Sequence, residues 1–353
     1  MTQSRGQQRS LKRRDVMAGL AALTATASVP AAGLVAQAAL QPRRIDVHHH
    51  TVPPRILERT RAALLAGSPY GAEVAQWTPE ASLAQMDQFG IATAILSNPT
   101  AWSNFSAEDA RSLARYSNEF SAQLRAGHPG RFGVFAAVPM PDIDASLAEI
   151  DYAYASLSVD GIQLITSYGD KWPGDPAFDP LFDELNRRKS VVFIHPTAPG
   201  CCNHLVSGIP TPTVEFMFDV TRCITSLLFH NSFTRFPDIR FIFTHDGAAL
   251  PMLADRITRN ATVVKTAGYA SQEAALSQLK RLHYDITTST SRPALSALRA
   301  FVPVSQMLFG SDFPFLKPSE TVPGLDAFAF SASERAAINR GNAEKLFPNL
   351  RSL

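Results

Sequence analysis

The sequence predicts a (β/α)8 barrel of the TIM-barrel type, an α/β fold in a single domain. Eight short apolar runs recur along the chain, and segments with helical periodicity separate them. Near-continuous apolar runs are typical of parallel strands that are buried on both faces. Residues 39–353, which follow an N-terminal leader, are enough for one such barrel.

The apolar runs are four to seven residues long and rich in Val, Ile and Phe, as in Val191-Val192-Phe193-Ile194. In such a strand polar and apolar residues need not alternate, because both faces of the strand are buried in the protein. The predicted strands are Arg44–His48, Ala92–Ser97, Phe132–Val138, Gly161–Thr166, Val191–His195, Ile239–His245, Leu282–Thr287 and Gln306–Ser311.

Capping residues and apolar spacings of three and four predict the intervening helices. Thr78 followed by Pro79 indicates one helix start, and Gly90 indicates its end. The other predicted helices begin at Ser106 or span Asp142–Leu157, Asp179–Arg188, Thr213–Phe236, Arg292–Phe301 and Ser333–Leu346.

Two longer insertions, Thr51–Trp77 and Tyr168–Phe178, are interpreted as loops over the barrel mouth. An open doubly wound sheet is the alternative fold. The first strand is not followed by the Gly-rich phosphate loop that such sheets carry, so the barrel is favoured.

Residues 1–38 have the composition of an export signal. The pair Arg13-Arg14 precedes an apolar and small-residue run, Val16–Val29, and Ala36–Ala38 fits a cleavage site. We therefore expect export to the periplasm by the twin-arginine route, with no membrane association after cleavage. The alternative is a disordered basic tail.

Charge and cysteine content exclude several classes of protein. The leader holds five basic residues and one acidic residue, so its removal changes the net charge from +2 to about −2. A chain with that balance is not a nucleic-acid-binding protein. Cys201, Cys202 and Cys223 cannot form a disulfide framework, and a bridge between the neighbours Cys201 and Cys202 is expected to be strained. All three are interpreted as thiols without an assigned role.

The first strand contains three consecutive histidines, His48 to His50. Alternate side chains of a strand share a face, so Asp46, His48 and His50 are expected on one side and His49 on the other. In a (β/α)8 barrel the functional residues lie at the carboxyl ends of the strands. The polar residues at those ends are His48, His50, His195, His245 and Asp312.

A cluster of imidazoles and a carboxylate suits one divalent metal ion with an open position for water or substrate. Zinc is the expected ion, with manganese as the alternative. Any one of these residues by itself is more often structural, but five residues at the ends of four strands agree here.

Four segments resemble the amidohydrolase-related family, whose members include 2-amino-3-carboxymuconate-6-semialdehyde, gamma-resorcylate and 6-methylsalicylate decarboxylases. The resemblance covers residues 44 to about 347. The segments are Asp46–His50 with Val52–Pro54, Ile194–Pro196, Phe243–Gly247 with Leu250, Pro251 and Arg256, and Phe309–Phe315.

The resemblance implies a role for each matching residue. It implies metal ligands at His48, His50, His195 and Asp312, with His245 as an unligated catalytic histidine. Phe315 matches an aromatic wall of the family's pocket. Arg256 matches an arginine that holds a substrate carboxylate across a dimer interface in some members, which implies a homodimer or homotetramer.

Three features of this sequence differ from the family pattern or have no clear counterpart in it. Gly247-Ala248 stands where the family usually has two glycines. Asp246 adds a carboxylate beside His245 and is expected to orient that imidazole. Arg292, in the loop after the seventh strand, either binds a substrate carboxylate or only begins the next helix.

Such a site is compatible with two reactions and with a protein that binds a metal ion without catalysis. The first hypothesis is non-oxidative decarboxylation of an aromatic or unsaturated carboxylic acid, in which His245 or Asp312 delivers a proton. The second is hydrolysis of a lactone, an amide or a carbon–carbon bond by the same metal site. The third is a metal-binding barrel without catalytic activity.

Overall fold

The computed structural model describes residues 44–202 and 205–350 as an eight-stranded parallel barrel. The predicted leader, residues 1–38, lies outside the described residues. Each strand pairs with its neighbour in chain order. The strands are β1 Arg44–His50, β2 Ile91–Ser97, β3 Phe132–Ala137, β4 Gly161–Ile165, β5 Val191–His195, β6 Arg240–Phe243, β7 His283–Asp285 and β8 Met307–Leu308.

The predicted (β/α)8 barrel and its eight strands are confirmed. Backbone bonds between the last and first strands complete the barrel: Val47 N–H donates to Phe309 O at 3.0 Å, and Asp312 N–H donates to His48 O at 2.7 Å. The observed strands are shorter than predicted at β6, β7 and β8, because their carboxyl ends turn into loops that carry functional residues.

Fourteen α-helices lie among the described residues. In chain order they are α1 Pro54–Gly67, α2 Gly71–Val74, α3 Pro79–Gln88, α4 Ala107–Gly127, α5 Ile143–Ser156, α6 Asp179–Arg187, α7 Thr211–Phe229, α8 Ser232–Arg235, α9 Leu250–Ala261, α10 Gln272–Lys280, α11 Arg292–Phe301, α12 Pro318–Ala327, α13 Ala332–Ala336 and α14 Asn342–Leu346. Each of these helices is too short or too polar to cross a membrane.

The helix predictions need three corrections. The insertion Thr51–Trp77 is not a loop, because Pro54 occupies the first turn of α1 and the following Leu- and Ala-rich run favours a helix. The predicted helix Thr213–Phe236 is two helices, separated at Asn231, whose φ is +56°. The helices α9, α10 and α12 were not predicted.

The apolar core has two main layers, one inside the barrel and one between the strands and helices. The segment after α14 packs into the inner layer, where Phe347 lies 5.8 Å from Phe135 between ring centroids. The space inside the barrel is therefore filled by side chains, and the polar strand ends stand above it. The inner layer comprises Ile45, Val47, Ile95, Phe135, Val191, Phe193, Ile242, Leu308, Ala343, Leu346, Phe347 and Leu350.

Strand β1 departs from simple alternation. Its register with β2 shifts between Asp46 and His49, which pair with Ala94 and Leu96. Such a bulge interrupts the alternation of side chains. Asp46 Oδ2 accepts a hydrogen bond from His49 Nδ1 at 3.1 Å, so the expectation that Asp46 shares the face of His48 and His50 is wrong.

The cysteine prediction is also corrected. The structure joins Cys201 and Cys202 in a disulfide between neighbouring residues, whereas Cys223 is a buried free thiol. The bridged pair ends a short 3₁₀ turn, in which Cys202 N–H donates to Pro199 O at 3.1 Å.

Candidate metal centre

Four of the predicted strand-end residues meet above the inner core. His48 and His50 come from β1, His195 ends β5, and Asp312 follows β8. One ligand atom of each lies within 4.8 Å of the others, and all four side chains are buried. These are the residues for which the family resemblance implies metal ligation.

The nitrogen and oxygen atoms of this cluster face one another. His48 Nε2 lies 3.1 Å from His50 Nε2, and His50 Nε2 lies 2.9 Å from Asp312 Oδ1. Asp312 Oδ1 is also 3.3 Å from His48 Nε2 and 4.0 Å from His195 Nε2. The Asp312 carboxylate oxygen is thus the common neighbour of three imidazole nitrogens.

The hydrogen bonds of the opposite ring nitrogens decide the tautomers. His195 Nδ1 lies 2.8 Å from Pro196 O, and His48 Nδ1 lies 3.0 Å from Asp285 Oδ2. Both oxygens only accept, so each Nδ1 carries the proton. Ser97 Oγ donates to His49 O at 3.2 Å, which leaves it to accept from His50 Nδ1 at 2.8 Å.

When the three rings are neutral, their Nε2 atoms therefore all present lone pairs to the same point. Lone pairs at these distances repel one another unless a cation lies between them. Three imidazole nitrogens and one carboxylate oxygen form a donor set that suits zinc or a similar divalent ion. The described residues thus fit the metal that the sequence predicts.

The electrostatics of the cluster also favour a positive charge. Burial lowers the pKa of His48, but the carboxylates of Asp285 and Asp312 outweigh burial and raise that pKa to about 10. Burial lowers the pKa of His50 to about 4, and burial with the neighbouring histidines lowers the pKa of His195. The two carboxylates favour one positive charge at His48, which either a proton on Nε2 or a metal ion bound to Nε2 supplies, and further protons on the cluster are disfavoured.

His245 stands beside the cluster without belonging to it. Its ring centroid is 5.2 Å from that of His48 and 6.3 Å from that of His195. His245 Nδ1 lies 3.3 Å from both Thr287 O and Thr288 Oγ1. The carbonyl oxygen fixes the proton on Nδ1, which leaves Nε2 as a proton acceptor.

The turn after β6 has an unusual backbone. His245, Asp246, Gly247 and Ala248 all have positive φ, at +53°, +58°, +70° and +60°. Positive φ is uncommon for residues other than glycine. A Cβ on Gly247 would lie 2.7 Å from Tyr284 Cε1, so this position requires glycine.

Asp246 does not orient His245, contrary to the sequence interpretation. Its two carboxylate oxygens are buried without a hydrogen-bond partner among residues 44–202 and 205–350, and burial raises the pKa of this carboxyl group. The ring of His245 is held by Thr287 and Thr288 instead. Asp246 therefore makes no hydrogen bond to the imidazole of its neighbour.

Asp285, at the end of β7, is a site residue that the sequence interpretation missed. Its Oδ2 accepts from His48 Nδ1, and its Oδ1 accepts the backbone N–H groups of His245 at 3.1 Å and Thr287 at 3.0 Å. Burial alone would raise the pKa of Asp285, but the His48 imidazole lowers it. The signal available in the sequence was a carboxylate inside the predicted strand Leu282–Thr287.

Asp46 connects the two strands that carry three of the ligands. Its Oδ1 accepts the N–H groups of His48 at 3.1 Å and Ser311 at 3.0 Å, and its Oδ2 accepts Ser311 Oγ–H at 2.5 Å. Carboxylates that fix the surroundings of ligands in this way maintain metal-site geometry.

The three predicted substrate-binding residues lie in different places. The Phe315 ring meets that of His50 edge-on, with centroids 5.4 Å apart. Arg256 is exposed on α9, and Arg292 is the exposed first residue of α11. Within the described part of the chain, no hydrogen bond or ion pair joins either arginine to the ligand cluster.

We predict that Asp285→Asn lowers metal affinity by about 10- to 100-fold, because His48 loses the carboxylate that holds its tautomer and orientation. Chelator competition on the metal-loaded protein measures this affinity. Asp151→Asn is the matched control, since the Asp151 side chain is 70% exposed. Equal affinities for the two variants contradict the role of Asp285.

Comparison with known proteins identifies the family. An amidohydrolase family model matches residues 45–348. The decarboxylase yanB of Aspergillus niger is 36% identical over 324 residues, which cover 86% of this chain and 87% of the relative. The 6-methylsalicylic acid decarboxylase of Penicillium expansum is 32% identical over 320 residues, which cover 88% of this chain and 98% of the relative.

The fold is also that of solved family structures. A dihydroxybenzoic acid decarboxylase from Polaromonas, solved with manganese and the inhibitor 2-nitroresorcinol, superposes with a TM-score of 0.77. It is 22% identical, and the match covers 87% of this chain and 97% of that one. This structure supports the fold alone, whereas the family model and the two curated relatives span most of the sequence. The chain therefore belongs to the amidohydrolase family.

Proposed function

We propose that this protein is a metal-dependent, non-oxidative decarboxylase of an aromatic carboxylic acid. The observation that carries the proposal is the convergence of His48, His50, His195 and Asp312, with their lone pairs directed at one point. The names of the two curated relatives support decarboxylation over hydrolysis, because both are decarboxylases.

The substrate class follows from the same relatives. We propose a hydroxybenzoic acid, and 6-methylsalicylate is the first compound to test. The Phe315 ring, edge-on to His50, offers an apolar surface to an aromatic ring. Arg256 and Arg292 are proposed to interact with the carboxylate, Arg256 from a neighbouring subunit.

The chain's own residues supply the proton handling. A divalent ion held by the four ligands would stabilise negative charge on substrate oxygens. During decarboxylation the bond between the ring carbon and the carboxyl carbon breaks, and its electron pair remains on the ring carbon. His245 or Asp312 takes up a proton from solvent water and delivers it to that carbon, and carbon dioxide leaves. The Nδ1–H of His245 is held by Thr287 O, so its Nε2 is the nitrogen that exchanges this proton.

We further propose that zinc is the resident ion, one per chain. Three imidazole nitrogens and one carboxylate oxygen are ligands that zinc accepts in a four-coordinate site. Manganese is the alternative, because the Polaromonas relative was solved with that metal. Elemental analysis of the purified protein distinguishes the two ions.

The metal-loaded protein is predicted to release carbon dioxide from at least one hydroxybenzoic acid, and His245→Asn is predicted to slow that release by roughly 10² to 10⁴ while keeping the ion. The reason is that His245 handles a proton but is not needed to complete the ligand set. Carbon dioxide release and metal content are measured on the same samples.

His195→Ala and Asp312→Ala are the companion variants, and each is expected to lose both metal and activity. If His245→Asn also loses the ion, His245 is a ligand. Two ions per chain in the wild type, or full metal occupancy in the companion variants, contradicts the single-metal site.

A homodimer or homotetramer is proposed from the surface of α9. Met252 lies one turn before Arg256 on the same side of α9 and is 78% exposed, and Val263, which follows the end of this helix, is 76% exposed. Large apolar side chains at such exposure are typical of protein interfaces when they cluster.

The combined substitution Met252→Glu and Val263→Glu is predicted to convert the assembly to monomers, because it places charges in an apolar contact. Light scattering after gel filtration gives the mass. Leu65→Glu is the control, since Leu65 is 47% exposed on the distant helix α1. A monomeric wild type rules out the proposal.

Export by the twin-arginine route is also proposed, from the pair Arg13-Arg14 and the cleavage pattern Ala36–Ala38. The mature protein is predicted to begin near Ala39 and to lie in the periplasm. Mass spectrometry of the N-terminus in fractionated cells measures both. Substitution of Arg13 and Arg14 by Lys should retain the precursor in the cytosol, and a wild-type cytosolic protein that keeps its first 14 residues contradicts the proposal.

A further inference from the structure

A second phenylalanine, Phe216 on α7, stands beside the ligand cluster. Its ring meets that of His195 edge-on, with centroids 6.4 Å apart and planes at 82°. Phe315 meets His50 at 5.4 Å and 83°. The rings of His50 and His195 are themselves 4.8 Å apart. Two phenyl rings thus flank two different ligands of the same candidate metal site.

Both phenyl rings remain partly exposed. Phe216 and Phe315 are half-buried, and neither is a member of the apolar clusters formed by residues 44–202 and 205–350. Most other phenylalanines near the barrel are fully buried in these clusters. Each of the two rings therefore has apolar surface that the protein itself does not cover.

The position of Phe216 is fixed by its helix. Asp219, one turn further along α7, is fully buried and accepts hydrogen bonds from Ser167 Oγ at 2.9 Å and Trp172 Nε1 at 2.7 Å. Thr166 Oγ1 also donates to Asp219. Thr166 N–H in turn donates to His195 O at 3.0 Å. These bonds attach α7 to the ends of β4 and β5 and hold Phe216 against His195.

We propose that Phe216 forms a second aromatic wall of the substrate pocket and selects acids with an apolar ring substituent. This inference rests on the proposed function, because it assumes that an aromatic acid binds at the ligand cluster. A ring substituent that reaches Phe216 meets apolar surface. A methyl group gains from burial there, whereas a hydroxyl group would lose its hydrogen bonds to water.

The test compares binding of salicylate and 6-methylsalicylate, which differ by one methyl group. The metal-loaded wild type is expected to bind 6-methylsalicylate about fourfold more tightly, the ratio that burial of one methyl-sized group supplies. Phe216→Ala is expected to reduce this ratio to about one, and Phe216→Leu to an intermediate value. Calorimetric titration gives both affinities, and carbon dioxide release is followed in parallel.

Phe218→Ala is the matched control, because Phe218 lies on the same helix, is 44% exposed and has no ring contact with His195. Metal content and melting temperature of each variant report whether the site and fold are intact. Phe216→Leu keeps the test decisive if the alanine variant is unstable.

The outcomes separate the two hypotheses. The inference is supported if the wild type binds 6-methylsalicylate more tightly than salicylate, Phe216→Leu weakens this preference and Phe218→Ala retains it. This holds even if no carbon dioxide is released and the decarboxylase proposal fails. An unchanged preference in both Phe216 variants overturns the inference, even if carbon dioxide is released. Failure of the wild type to bind either acid, or equal binding of both, overturns it as well.

Discussion

The backbone seam between β1 and β8 is the interaction on which the candidate site depends. Asp312 N–H donates to His48 O at 2.7 Å, and His50 N–H donates to Phe313 O at 2.7 Å. These bonds join residues that are more than 260 positions apart, and they bring a carboxylate beside two imidazoles. Asp46 strengthens the seam, since its carboxylate accepts N–H groups from both sides. Without closure of the barrel, the chain has a histidine pair but no four-residue ligand set.

The second constraint is the direction of the imidazole lone pairs. An imidazole binds a metal ion only through a nitrogen that carries no proton, so the opposite nitrogen must be held by an acceptor. Asp285, Ser97 and the carbonyl of Pro196 provide the three acceptors for His48, His50 and His195. Asp285 also accepts the backbone N–H of His245. One buried carboxylate therefore couples a candidate ligand to the candidate proton carrier.

The turn after β6 shows that geometry around the site is maintained at a cost in stability. Ala248 adopts φ +60° and ψ −115°, a conformation that favours glycine, and such residues cost about 1–3 kcal/mol each. Gly247 allows Tyr284 to approach closely. The Asp246 carboxyl group is buried without a partner among the described residues, which is a further cost. Packing on neighbouring strands and helices must offset the free energy lost to backbone strain and to burial of the unpaired carboxyl group. The result is a fixed position for His245.

The barrel could be predicted from the sequence because buried parallel strands require continuous apolar runs, and those runs are local. The same reasoning predicted the polar residues near the strand ends, from His48 to Asp312. The structure brings four of them together. Features that depend on contacts between distant segments could not be predicted. The roles of Asp285, Asp46 and Phe216 depend on partners on other strands or helices. The bulge in β1 and the burial of the unpaired Asp246 carboxyl group likewise depend on neighbouring elements. The sequence by itself thus determined the order of the eight strands and which polar residues lie near their carboxyl ends, since hydrophobic periodicity is a local property. Only the tertiary structure decided which atoms face the metal position, since that depends on hydrogen bonds across the closed barrel.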